Sequence, residues 1–77
     1  MKIKDMRVGQ TARIVGYEKG DPAYRHKLLR MGLIKKSTFT LLRKAPMGDP
    51  VELQLATFNL TLRKDEAEAL NVELIDG

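Results

Sequence analysis

Between residues 51 and 62 apolar side chains fall at every second position in two runs, Val51, Leu53 and Leu55, then Phe58, Leu60 and Leu62. Glu52, Gln54, Asn59, Thr61 and Arg63 alternate with them. A period of two places one set of side chains on one face of a strand, so each run reads as a half-buried strand. If Ala56-Thr57 is a two-residue loop, antiparallel pairing sets Leu55 opposite Phe58, Leu53 opposite Leu60 and Val51 opposite Leu62. A slip of one residue would turn a whole apolar set to solvent, so the pattern specifies the register as well as the hairpin. Ala-Thr is not a favoured hairpin dipeptide, and the pairing therefore rests on alternation rather than on turn chemistry.

The same period appears around Phe39 and Leu41, in a strand over residues 38–44. Ala45-Pro46-Met47-Gly48-Asp49-Pro50 joins it to the next strand; Gly48 supplies the turn, and Pro50, lacking an N–H, suits a strand start. Pairing Lys44 with Pro50 sets Leu41 against Leu53 and Phe39 against Leu55, which assigns Phe39 and Phe58 to the core. Residues 11–17, around Ala12, Ile14 and Val15, form an earlier strand; residues 65–70 give a short helical turn and 72–75 a last strand. The helical period is clearest over residues 22–31. Tyr24, Leu28 and Met31 recur at i, i+4 and i+7 with Leu29 beside them, and Arg25, His26, Lys27 and Arg30 fill the rest. Asp21 suits the N-cap, Pro22 the first helical position and Gly32 a left-handed C-terminal cap. Leu28 and Met31 are expected to anchor this helix.

A chain of 77 residues makes one small domain, residues 1–77. About 60% of its unfolded surface is buried on folding, so its core is thin. Five short strands with one helix inserted after the first leave no room for a parallel layered fold. The expected class is mainly β: a small SH3-like antiparallel barrel of about five strands, with one α-helix inserted after the first strand and a short helical turn. Curling into a barrel removes the vulnerable edges of so small a sheet.

The residue inventory excludes most chemistry. With no Cys and a single histidine, His26, neither a thiolate centre nor a His-rich metal site can be built. No phosphate-binding Gly-x-x-x-x-Gly-Lys-Ser/Thr loop occurs. Asp65, Glu66 and Glu68 read as a solvated face with favourable helix-start charges rather than as metal ligands. No enzyme activity, cofactor or metal is expected. No apolar run approaches the roughly 20 residues that span a bilayer, and Met1-Lys2-Ile3-Lys4-Asp5 offers no export signal, so a cytoplasmic domain without membrane insertion is expected.

Surface material stands out instead. Residues 1–44 hold twelve Lys and Arg against three Asp and Glu, for +9, whereas residues 45–77 hold two against seven, for −5. Such asymmetry can mark a basic face for an acidic partner, or be neutralised locally on folding. Arg25, Lys27, Arg30, Lys35, Lys36, Arg43 and Lys44 form a basic block, with Tyr17 and Tyr24 as rings for stacking. A nucleic-acid-binding SH3-like module is the alternative function these suggest. It is not the preferred one, because aromatic residues are few and no nucleic-acid-binding signature is present. Met47 lies in a Pro/Gly loop, where a flexible apolar side chain serves either a partner or one end of the barrel.

Ala23-Tyr24-Arg25, Leu28-Leu29, Met31-Gly32-Leu33, the Ala45–Pro50 loop and Leu60-Thr61-Leu62-Arg63 with Ala67 and Val72 resemble the FeoA family over nearly the whole chain. The Ala-Pro-x-Gly-Asp-Pro loop with a Leu-x-Leu-Arg strand at this spacing is the specific part. Two departures show: Lys36 where the family usually places Gly, and Met47 where Leu is commoner. The resemblance implies an SH3-like barrel and a non-catalytic accessory role in bacterial ferrous-iron uptake, serving the FeoB membrane transporter with its cytoplasmic GTPase domain. A similar barrel ends some iron-dependent repressors. Tyr24, Arg25 and Met47 are the expected partner-contact residues, nucleic acid is not an expected partner, and self-association stays open.

Overall fold

A computed structural model describes residues 1–20 and 22–75. The elements run β1 (Thr11–Tyr17), α1 (Pro22–Arg30), β2 (Thr38–Lys44), β3 (Val51–Gln54), β4 (Asn59–Leu62), α2 (Lys64–Glu68) and β5 (Leu70–Leu74), after a single 3-10 turn at Ile3–Asp5. All strand pairs are antiparallel, in the order β4-β3-β2-β1-β5. The fold is mainly β and SH3-like, with one correction to the expected barrel. The sheet is not closed, and β4 and β5 remain its edges. The chain between those edges, residues 63–69, is spent on α2 rather than on a strand, and the first residues of the chain reach β5 instead. There the Val72 N–H donates to the Met1 carbonyl at 2.9 Å.

The hairpin has the register that alternation dictates, with Val51 opposite Leu62 and Leu53 opposite Leu60. The Leu55 N–H donates to the Phe58 carbonyl at 2.8 Å across the two-residue loop. Leu41 pairs with Leu53 as expected, but Lys44 pairs with Val51 and not with Pro50. The register shifts between Leu41 and Arg43, so Leu42 is an extra residue that the alternation conceals. A second bulge makes Val15 the extra residue of β1 against β5.

Helix α1 begins at Pro22; the Asp21 cap lies outside the described residues. Its end is a Schellman motif. Gly32 takes φ +88°, its N–H donates to the Leu29 carbonyl at 3.0 Å, and the Leu33 N–H donates to the Leu28 carbonyl at 3.0 Å. Leu28 and Leu33, the apolar pair of that motif, are both fully buried. Met31 packs against the core while partly exposed.

Phe39, Leu41, Leu53, Leu62, Ile14 and Val72 form the centre of the core, closed at the chain's start by Ile3 and Met6. Two side chains depart from the pattern. Phe58 is 43% exposed and therefore not a core residue, and Leu60 is only half-buried against the core. Both lie on or beside β4, an edge strand with a neighbour on one side only. The Phe58 ring instead lies over Gly32, where a β-carbon would come within 2.8 Å of its Cζ.

Candidate partner-binding site

The end of β1, the first turn of α1 and the outer side of α2 enclose a cleft of about 250 Å³. Tyr17, Tyr24, Arg25, Leu28 and Asp65 are among its walls. The Tyr17 hydroxyl donates to the Leu33 carbonyl at 2.6 Å, which fixes the ring at the helix end. The Arg25 guanidinium lies 5.6 Å from the centroid of that ring, within cation–π range. Burial pushes the Tyr17 phenol above its usual range, with Arg25 pulling the other way. Tyr24 donates its hydroxyl hydrogen to the Asp65 carboxylate, joining α1 to α2. That bond, strongest in the carboxylate form, pushes the Tyr24 phenol up to about 12 and holds Asp65 below its ordinary value.

Beneath this pair lies a second link between the helices. Lys27 Nζ is 2.7 Å from Glu66 Oε2, and Glu66 Oε1 accepts the Arg63 N–H at 2.9 Å. Glu66 is therefore buried at 5% exposure, not part of a solvated acidic face. The Lys27 hydrogen bond, followed by the Arg63 N–H, keeps its carboxyl below the usual carboxylate range. The spacing of Arg63 and Glu66 is that of a capping box, in which the third helical residue reaches back to the N-cap N–H. That spacing was the available signal for this contact. His26 is exposed, and among the described residues no three His, Asp or Glu side chains gather into a metal site.

Met47 stands apart from the cleft. It is 90% exposed on the loop between β2 and β3, and none of the cleft's walls comes from that loop. The loop is nonetheless held in shape. Gly48 takes φ +78° and its N–H donates to the Ala45 carbonyl at 2.7 Å, while Asp49 Oδ1 accepts the Lys64 N–H at 2.9 Å and caps α2. Of the expected contact residues, then, Tyr24 and Arg25 share one cleft and Met47 forms a separate apolar tip. Arg25 and Lys27 of the basic block are engaged by Tyr17 and Glu66, and Lys44 Nζ donates to the Lys4 carbonyl at 3.0 Å. Among the described residues no helix is long and apolar enough to cross a membrane.

Similar proteins share the fold of this chain. The chain is 35% identical over all 77 residues to an Fe(2+) transport protein A/Fe(2+) transporter FeoB fusion protein of Porphyromonas gingivalis, of which it spans 9%. Its fold matches the FeoA protein of Chlorobium tepidum with a TM-score of 0.85 at 34% identity, over 100% of this chain and 72% of that one. It matches a FeoA-like protein of Clostridium acetobutylicum at 0.87 and 28%, over 100% and 88%. A manganese-dependent transcriptional repressor matches at 0.89 with 16% identity, over 97% of this chain and 36% of that one, which is a likeness of fold alone. Residues 1–74 match the FeoA domain model, and with the sheet order, the Schellman-capped helix and the Ala45–Pro50 loop all in place, the chain belongs to the FeoA family.

Proposed function

We propose that this chain is a non-catalytic, cytoplasmic accessory module of bacterial ferrous-iron uptake that docks on the GTPase portion of an FeoB-type transporter. The observation that supports this most is the Porphyromonas gingivalis fusion, in which a segment similar to the whole of this chain is one polypeptide with the transporter. Covalent linkage holds a weak partner at high effective concentration, which is useful only if the two associate. The surface supplies two contact features suited to such a role. Met47 offers a flexible apolar tip on a braced loop, and Tyr24 with Arg25 offers a ring and a planar cation on one helix turn. Met, Tyr and Arg are the residue types that protein interfaces favour. Docking at these residues would bias the GTPase between its conformational states only as far as it binds one state better.

Isothermal calorimetry and co-elution with the transporter's soluble portion test the reading. A saturable heat at micromolar concentrations, weakened when Met47 or Arg25 is changed to Ala, is expected. The absence of both heat and co-elution with that portion would refute docking there.

A further inference from the structure

On the outer face of β1, away from the Tyr24–Arg25 cleft, three unrelated features meet in one hollow of about 350 Å³. The first is a bulge: Val15, the extra residue of β1, holds an aliphatic side chain in the wall of the hollow at 38% exposure, beside buried Ile14. Bulges re-aim side chains and are frequent next to functional sites. The second is the backbone of Lys36, which takes φ +78°, the left-handed region where a β-carbon is disfavoured and glycine is at ease. Two hydrogen bonds hold it there, from the Lys36 N–H to the Ile14 carbonyl at 2.8 Å and from the Ile14 N–H to the Ser37 carbonyl at 2.9 Å. Strain of this kind persists only where the surroundings impose it, and it concentrates at functional positions. The third is charge. Among the described residues the one carboxylate in the wall, Glu73, is taken by Arg13 at 2.9 Å, and Lys35 and Lys36 have no ion-pair partner.

We propose that this hollow docks an acidic segment of a partner protein that carries one aliphatic side chain. Its carboxylates lie against Lys35 and Lys36, and the aliphatic group covers Val15. The wall includes no aromatic ring on which a nucleic-acid base would stack. Two free lysines fall short of the roughly 4–8 clustered cations that hold a protein to an anionic membrane. An acidic peptide needs only this much charge, because complementary potential supplies register and on-rate while the apolar contact supplies the anchor. The inference stands whether or not the transporter is the partner.

The test is nuclear magnetic resonance titration of the isotopically labelled 77-residue chain with a synthetic peptide bearing two Asp or Glu on each side of one Leu. Fast-exchange shifts at Arg13, Val15, Lys35 and Lys36 are expected. They should be abolished when Lys replaces the acidic residues and weakened when Gly replaces the Leu. Lys36→Gly suits the backbone, so it should raise the melting temperature and yet weaken the peptide by roughly threefold; adding Lys35→Gln should bring the loss to roughly tenfold. No shifts at millimolar peptide, shifts centred elsewhere, or a Lys36→Gly chain that binds as well as before would overturn the proposal. So would an equal or stronger response at these residues to an oligothymidine or to phosphatidylserine vesicles.

Discussion

Gly32 bears a backbone that no other residue type accepts without cost. Its φ of +88° is left-handed, and a β-carbon added there would stand 2.8 Å from the Phe58 Cζ. Gly32→Ala is expected to lower stability by about 1–2 kcal/mol in urea unfolding. Most of that loss belongs to the backbone, because the Phe58 ring is an exposed side chain that can yield. Pairing the change with Phe58→Ala should therefore recover only a small part. Glu66 makes a pH-dependent contribution. Its folded carboxyl titrates below the ordinary 4.5, so its stabilisation is present above that value and is lost as pH falls through the lowered folded one. Glu66→Gln keeps an acceptor for the Arg63 N–H but loses the Lys27 pair, at a cost of about 1–2 kcal/mol at neutral pH, reduced because Lys27 is largely in solvent. The variant's stability should also fall less steeply than the parent's below about pH 4.5, a difference that denaturation at pH 7 and pH 4 reads directly. Tyr24 offers a spectroscopic check. Asp65→Asn removes its carboxylate acceptor, and the phenol should then ionise well below about 12 in an ultraviolet titration.

At the scale of elements, the β3–β4 hairpin is the part most legible in the sequence, because its partners lie a few residues apart and alternation admits one register. Leu53 is fully buried and Leu60 only half-buried, although they face each other. Leu53→Ala should accordingly cost about 2–5 kcal/mol and Leu60→Ala about 1–2, measured by thermal or urea unfolding. Equal costs would mean that β4 sits deeper than the structure places it. Helix α1 was legible for a similar reason, since its stripe, its Pro22 start and its Gly32 stop are all local. The offset between β2 and β3 was not. Leu42 is apolar and lies between Leu41 and Arg43, so nothing in the spacing separates a bulged residue from a paired one. The 3-10 turn at Ile3–Asp5 also gave no period to read, yet Ile3 and Met6 complete the core.

Over the whole molecule, the exterior is uneven in a way that bears on function. Met47 projects from a braced loop and is almost wholly exposed, so Met47→Ala should change stability by less than about 0.5 kcal/mol while weakening the transporter contact proposed above. A large loss of stability would assign the side chain to packing instead. The Tyr24–Arg25 cleft draws its walls from β1, α1 and α2, elements up to about fifty residues apart in the chain. Tyr24 and Arg25 were legible in the sequence as contact residues on one helix turn and Tyr17 as a stacking ring, but not their meeting in one cleft. The order of residues by itself determined the strands, the helix with its stop and the hairpin pairing, because each depends on groups within a few positions of one another. Tertiary structure alone decided that the sheet stays open, that Phe58 leaves the core for Gly32, and that Glu66 is buried against the solvent-facing Lys27. Those outcomes depend on which distant surfaces pack together, and periodicity along a chain carries no record of that.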